Sequence, residues 1–547
     1  MQRRFVVAAA SLAVAALVSM MMTPSTHAAT SVTTIVKTGD VAPGAGGAPF
    51  NSFGEAYVGA AGNVTFSGYL DTDSPGIDFN NMEGVWTVAN GSMSHYAREG
   101  TPVSGKPDST WTSMVGAGPA GGAHQTVLKA YSTDGRGLFG GVAGNVQPIA
   151  LTGMQAAGFE PGVTYGDNVA GVNGNFVPTG NAAGQTVFTA NTVGGGAGSN
   201  AGMWTGSAGN LTLVARYGQQ APGAVEPGAT VVHLSDATIN DNGQIGFAAL
   251  LGGTAPAESS GVIYAGAPTA LTIVTRTGSV APGLSGVTIA PPQFGSFGPR
   301  VTINNAGHVA FAANLAGADV NSSNDAAIFA GAPAAISVVA RKGDAASPAL
   351  PGLTLDALDS PFLAGNGKVM FMADVAGAGV DTNNDAALFT ATANAAKKLI
   401  AREGDVIPGA TDGAQIRFFD FLGINALGQT HFTAGLKGPG VTFDNDYALF
   451  ASDPAGNLFT IARTGDQLDL GNGDLRTIES LYIPSYSGGQ DGVGTALSEA
   501  GVLVFRAGFA DGTEGIFSVS APVPEPSAAF SLLAATALAI RRRRLPV

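Results

Sequence analysis

One short frame recurs along the chain and constrains the fold more than any other feature: an asparagine, a glycine three residues on, and a phenylalanine four further. Asn304-Asn-Ala-Gly307-His-Val-Ala-Phe311 is the clearest copy. Asn240 with Gly243 and Phe247, Asn425 with Gly428 and Phe432, and Asn181 with Gly184 and Phe188 repeat it. Asn and Gly tolerate positive φ, so the opening of the frame predicts a tight turn. After the glycine the side chains alternate: Val309, Phe311, Ala313 and Leu315 fall on one face, His308, Ala310 and Ala312 on the other. That is the pattern of a strand launched by the turn. Small residues on the second face let another sheet approach, which predicts burial on both sides.

Two further columns run in phase with the frame. One is a small-apolar-aromatic signature ending at Trp86, Phe139, Trp204, Tyr264, Phe329, Phe389, Phe450 and Phe517, eight occurrences spaced 53 to 67 residues apart. The other closes a strand with a basic residue and a glycine turn: Lys37, Arg98, Arg216, Arg276, Arg341, Arg402 and Arg463, with Leu151-Thr-Gly153 keeping the turn but not the charge. A Pro-Gly pair usually follows, as at Pro43-Gly44 and Pro282-Gly283. Each unit therefore reads as a turn-launched strand, an aromatic strand, a basic-ended strand, and a Pro-Gly loop leading to a less regular fourth. Four strands in about sixty residues, repeated eight times, predict an all-β, eight-bladed β-propeller.

The ends of the array suggest closure. The first recognisable strand, Thr33 to Lys37, is a basic-ended one, and the last, Gly515 to Val519, is an aromatic one without its basic partner. In a ring the N-terminal strand would complete the last blade and pair both open edges. An open solenoid or a row of small β-sandwiches would share the same periodicity. The unit over residues 100–153 is the most degenerate, and residues 467–490 carry an insertion before the last unit.

Outside the array the composition changes at both ends, giving three segments: 1–28, 29–520 and 521–547. Residues 1–28 read as a secretory signal peptide with a helical core, from Arg3 and Arg4, the apolar run Phe5 to Met22, and the small-residue site ending at Ala28. At the other end, the uncharged apolar stretch Ser527 to Ile540 precedes Arg541, Arg542, Arg543 and Arg544. As a helix it reaches roughly 21 Å, short of a ~30 Å hydrocarbon core, so it predicts a short transmembrane helix with its arginines held cytoplasmic. Without Arg3, Arg4 and Arg541–Arg544, 19 basic residues face 39 acidic ones, a net charge of −20. Such acidity disfavours nucleic acid and anionic membrane surfaces as partners. The chain has no cysteine, so neither disulfides nor thiolate metal sites enter.

Val523, Pro524, Glu525 and Pro526, the short apolar segment and the terminal arginine cluster together resemble the PEP-CTERM sorting signal. That resemblance implies export through signal peptidase, passage through the inner membrane, processing by exosortase near the Pro-Glu-Pro motif, and delivery to the cell surface or extracellular matrix. The body is similar to tandem N-x-x-G-x-x-A-F repeat proteins, matched fully by Asn304, Gly307, Ala310 and Phe311, and with Gly246, Val187 and His431 at the alanine position of the other copies. That likeness implies no particular activity.

Candidate chemistry is sparse. The loops between the turn-launched and aromatic strands carry alternating oxygens: Asp319, Asn321 and Asp325; Asp381, Asn383 and Asp385; Asp444 and Asp446; and Asp71, Asp73 and Asp78. Hard cations such as Ca²⁺ take ligands of this type. Asn/Asp runs also make ordinary turns, the reading favoured by the absence of a twelve-residue loop with a terminal Glu. Arg341 with Asp344, Arg402 with Asp405 and Arg463 with Asp466 read as local ion pairs. The histidines share no metal spacing, His308 and His431 read as packing residues, and no nucleophile elbow or phosphate loop is present. The resulting expectation is a monomeric, non-catalytic binding or structural propeller, exported and without a resident cofactor. Its partners would be an extracellular polysaccharide or a surface protein. The alternative is a secreted carbohydrate-active enzyme with acids at the propeller mouth, toward which the off-column Trp111 points.

Overall fold

In the computed structural model the asparagine frame forms the turn between the first two strands of an antiparallel sheet. The structure describes residues 32–521 apart from 61, 105, 119–124, 170–178, 197, 224–225, 292–299 and 485–486. The signal helix expected over 1–28 and the membrane helix expected within 522–547 lie outside the described residues. Among the described residues no helix is long and apolar enough to cross a membrane.

Blade 4 shows the plan. Ala229–Ile239 runs into the Asn240 turn, Ile245–Gly253 leaves it, and Gly261–Ala267 and Ala270–Arg276 complete an antiparallel sheet in sequence order. Eight such sheets follow one another at residues 50–98, 102–151, 164–216, 229–276, 288–341, 345–402, 415–463 and 467–520, here blades 1 to 8. The strand after each Pro-Gly loop, read from sequence as the fourth of its unit, instead opens the next sheet. It is irregular because it breaks: blade 5 has Thr288–Ile289 and Thr302–Ile303, and blade 6 has Leu350–Leu358 and Phe362–Leu363. Short edge strands such as Pro102–Val103 and Gln467–Asp469 bring some sheets to five or six strands rather than four.

The two aromatic columns turn out to be partners. Phe66 sits opposite Trp86, Phe188 opposite Trp204, Phe311 opposite Phe329, and Phe432 opposite Phe450, directly across the second and third strands. Their rings lie 5.0–6.2 Å apart and nearly parallel. A bulge beside the aromatic, between the third and fourth strands, recurs in blades 1, 3, 4, 5, 6 and 7. A bulge adds right-handed twist, which propeller blades need in order to fan around an axis. Trp111 is also part of this packing: it is 3% exposed and meets the Phe139 ring edge-on at 4.5 Å.

Closure is realised through the N-terminal strand. Thr33–Lys37 pairs antiparallel with Glu514–Ser520, Thr33 opposite Ser518, and supplies the outer strand of blade 8. Among the described residues the core divides into eight clusters, each shared by two neighbouring blades. The one containing Val36, Val504 and Ile516 of blade 8 with Phe50, Phe66 and Trp86 of blade 1 closes the circuit. No blade thus has a hydrophobic core of its own, and each buries apolar surface only against its neighbours.

Candidate functional site at the propeller axis

The frame asparagine is where the ring is tied together. Asn240 is fully buried. Its Oδ1 accepts the N–H groups of Asn242 at 3.0 Å and Gln244 at 2.9 Å, closing its own turn. Its Nδ2 donates to Gln244 Oε1 at 2.9 Å and to the carbonyl of Asn304, the matching residue of the next blade, at 2.7 Å. Asn181 reaches Asn240 in the same way, Asn304 reaches Ala364, and Asn425 reaches Ser498. A carboxamide combines an acceptor with two donors, which a carboxylate cannot; blade 8 carries Ser498 at this position, whose Oγ accepts from Val502 N–H at 2.9 Å. Gly243, at φ +73°, completes the turn, and a Cβ there would crowd Gln185 of the preceding blade. Blades 1 and 6 make the same turn without asparagine: Gly62 N–H meets Gly59 O, and Gly367 N–H meets Ala364 O.

A second set of bonds runs one residue further along. Ala182 N–H donates to Asp241 Oδ1, and Asp241 N–H donates to Asn305 Oδ1. In blade 6 this position is Gly365, which has no side chain to receive the Asn305 N–H. Gln490 takes its place, accepting from Asn305 N–H through Oε1 at 2.9 Å. A Cβ on Gly365 would lie 2.5 Å from Gln490 Nε2, so the glycine is what admits it.

Gln490 belongs to a segment, residues 487–497, that lies between the first two long strands of blade 8. The segment crosses the middle of the ring. Thr495 O accepts from Val58 N–H of blade 1, Gly492 O from Gly180 of blade 3, Asp491 O from Ile239 of blade 4, and Ser487 O from Ile424 of blade 7. Gly488 lies against the Leu363 backbone of blade 6, where a Cβ would come within 1.9 Å of the carbonyl oxygen. The segment is a plug. The insertion noted in the sequence at 467–490 thus has two parts, an edge hairpin and this plug. The plug's signal was the glycine-dense run Gly488 to Gly494.

The acids at this end of the axis are engaged in holding it. Asp491, fully buried, accepts from Ser487 Oγ at 2.8 Å and Val493 N–H at 3.2 Å, with Arg300 3.7 Å from its other oxygen. Asp241 also accepts from Asn305 Nδ2 at 2.8 Å. Glu499 accepts from Ala426 N–H and from Gln490 Nε2 at 3.0 Å. Burial pushes the Glu499 carboxyl up to about 7, aided by Asp241 and Asp491 and opposed by these hydrogen bonds. His431, in the second strand of blade 7, is fully buried, and burial pushes it down to about 3, so it packs as a neutral ring.

The sequence-derived cation candidates lie at the opposite end of the blades and are separated from one another. Their oxygens take part in a turn that repeats in blades 1, 5, 6 and 7. Asn324 Oδ1 accepts from Asn321 N–H and its Nδ2 donates to Asp319 O; Asn384, Asn445 and Asn81 do likewise on Asp381 and Gly379, Thr442 and Gly440, and Asp78 and Gly76. Asn321 Oδ1 caps Ser323, and Asp381 Oδ1 caps Asn383. Asp325 and Asp385 present their carbonyls to Leu315 and Val375, and Asp444 stands exposed beside half-buried Asp446. Among the described residues no three His, Cys, Asp or Glu side chains gather as a metal would need. The geometry is that of ordinary Asx turns.

The local ion pairs read from sequence are corrected. Asp344 and Asp405 accept the backbone N–H of Arg341 and Arg402. The guanidiniums reach elsewhere: Arg341, Arg402 and Arg463 donate to the carbonyls of Asn324, Asn384 and Asn445 in the turn just described. Arg463 pairs with Asp412 at 2.8 Å rather than Asp466. Three residues from Arg to Asp close a turn, and that brings the carboxylate to the backbone instead of the side chain.

Val523, Pro524, Glu525, Pro526 and Arg541–Arg544 lie outside the described residues. Comparison with known proteins gives a family model, described as a family of unknown function (DUF7453), that matches residues 15–119, 75–265 and 250–530. No curated protein matches. Solved structures similar in fold include one of two prolyl endopeptidases, at 10% identity and TM-score 0.36 over 84% of this chain. The chain spans 55% of that protein's length. A PL25 ulvan lyase matches at 10% identity and TM-score 0.32 over 76% of this chain and 96% of its own. A Dos1 propeller matches at 9% identity and TM-score 0.34 over 87% and 96%. Likeness at this distance transfers no chemistry.

Proposed function

The chain belongs to the DUF7453 family, whose description assigns no activity, and we propose that it is an exported, non-catalytic propeller acting as a binding or structural module at the cell surface or in the extracellular matrix. The observation that carries this reading is the plug across the turn end of the axis. A propeller enzyme with acids at its mouth needs carboxylates facing an open cavity, whereas here Asp241 accepts from the next blade, Glu499 accepts from the plug, and Asp491 accepts from Ser487 within the plug. A role built on recognition leaves the work to the loops. The N-terminal signal and the Val523–Pro526 motif with its arginine cluster support export and exosortase sorting as the route. Calcium is retained only as a ligand of the outer loops to be tested.

Intact-mass measurement of the chain from cell membranes and from medium tests the route. Released protein beginning near Ala29 and ending near Pro526 is the expected result; a full C-terminal tail held in the membrane fraction would instead make the tail a plain anchor. Incubation with soluble polysaccharides is expected to leave polymer length unchanged. Shortening that Glu499→Gln abolishes would return the carbohydrate-active reading.

A further inference from the structure

The blades have two unlike ends. The first-to-second strand turns, the plug and both ends of the described array share one of them: Ala521 N–H bonds Gly501 O, inside the blade 8 turn, and Thr33 pairs beside it with Ser518. Because the strands alternate in direction, the second-to-third strand loops and the loops that pass to the next blade share the other end, here the loop face.

Among the described residues, large apolar side chains are exposed mainly on the loop face: Tyr131, Met154, Val193, Val232 and Val280 are spread over blades 2 to 5, and six more, with both phenylalanines of the most exposed loops, share the sector of blades 7, 8 and 1. Blade 7 presents Val406, Phe418 and Phe443, blade 8 presents Leu475, and blade 1 presents Val41 and Phe79. Phe443 is 91% exposed and Phe79 78%. These two phenylalanines hold the same place in the repeated Asx turn, where blades 5 and 6 carry Ser322 and Thr382. The hydrogen bonds are equivalent in all four: Asn81, Asn324, Asn384 and Asn445 each donate to the carbonyl five residues back. The turn therefore does not require phenylalanine, and an exposed aromatic at a position where Ser or Thr suffices calls for another reason. Between the two phenylalanine-tipped loops in blade order, blade 8 joins its strands through the short connection from Phe509 to Glu514.

The charge of this sector is one-sided. Arg98 and Arg463 turn onto the carbonyls of Asn81 and Asn445, which removes them from the surface. Among the described residues of the sector Asp73, Asp78, Asp405, Asp444, Asp466 and Asp469 stay exposed, against one exposed cation, Arg417, with Lys37, Lys437 and Arg476 half-buried. An anionic rim around apolar contacts is complementary to a partner of opposite charge with apolar anchors.

We propose that the loop-face sector spanning blades 7, 8 and 1 docks a basic polypeptide, whose apolar anchor residues seat between Phe79 and Phe443. This rests on the binding-module reading above and deepens it by naming a face and a partner chemistry. The route of export is tested separately by intact mass, so either idea can fail alone.

The test uses the full chain in a non-ionic detergent and a fluorescein-labelled peptide of alternating lysine and leucine, followed by anisotropy. Phe79→Ser combined with Phe443→Thr reproduces residues that the same turn already tolerates, so the fold is kept and melting is unchanged. The double variant is expected to weaken binding about tenfold or more. Leu427→Ser, on the opposite end, leaves binding unchanged, and about 0.5 M salt weakens binding by the wild-type chain. Equal affinity of wild-type and double-variant chains, or equal binding of a lysine–serine peptide, would overturn the proposal. So would Phe79- and Phe443-dependent binding of a neutral glucan with none of the peptide.

Discussion

Asn304 and Asn324 lie in one blade and each caps a turn with its own side chain, yet they hold different things together. Asn304 is fully buried; after closing its turn it donates to Ala364 O in the next blade at 3.0 Å. Asn324 lies at the loop face, and its bonds stay within blade 5, to Asn321, Asp319 and, through its carbonyl, Arg341. The same amide geometry serves assembly at one end of the blade and local shape at the other. A residue that bonds across blades is fixed by both partners, whereas a loop that answers only to itself leaves its tip free to vary, from Phe79 to Ser322, Thr382 and Phe443.

Substitutions at the two ends should separate accordingly. The largest effect is expected from Asn304→Leu, which leaves two turn N–H groups and the Ala364 carbonyl without their bonds in a dry site. A loss of about 4 kcal/mol is expected in denaturant unfolding. A loss below about 1 kcal/mol would erase the distinction. Gly488→Val drives a side chain into the Leu363 backbone and should expel the plug, at about 3 kcal/mol. Limited proteolysis would then cut within 487–495, a segment that resists in the parent.

Glu499 tests the plug through pH. Its pKa is raised in the folded chain from 4.5 to about 7, so the folded state binds more protons than the unfolded one between those values. Stability attributable to this group should therefore fall as pH rises from about 4.5 to about 7, by about 3 kcal/mol, and Glu499→Gln should flatten that slope. His431 acts with the opposite sign, since its lowered pKa costs stability as pH falls below about 6.5. Melting curves of both proteins across this range distinguish the two. Smaller still is Asn324→Ala, expected at about 1 kcal/mol as for a lost cap. The smallest effect is that of millimolar calcium on the outer loops. Asn321 and Asp381 already spend a side-chain oxygen on local N–H groups, and among the described residues no three acidic side chains gather, so the melting temperature should not move. A rise in Tm abolished by Asp381→Ala would restore the cation reading.

The sequence revealed the blades because their signals are local. Phe311 and Phe329 face each other across two adjacent strands, and the turn at Asn304 needs only its own neighbours, so both recur visibly. The closure was also legible, since Thr33 to Lys37 and Gly515 to Val519 each lacked a partner that the other supplied. The plug was not, because Gln490 and Asp491 meet blades that lie far away in the chain, and no period marks such contacts. The guanidinium of Arg341 was misplaced for a related reason: spacing along the chain placed Asp344 beside it, but the adjacent loop carried the acceptor. The bonding across blades by Asn240 was hidden because asparagine at a turn is already explained by the turn.

The central claim is that the first strand completes the last blade and closes the ring. The chain contains no cysteine, so a Thr33→Cys, Ser518→Cys variant offers one pair of thiols at positions that sit opposite each other in the closing sheet. Under mild oxidation the account predicts a near-complete intramolecular crosslink and a higher melting temperature, since a bond across so long a loop restricts the unfolded chain strongly. Free thiols that persist under oxidation, or crosslinks only between molecules, would contradict it.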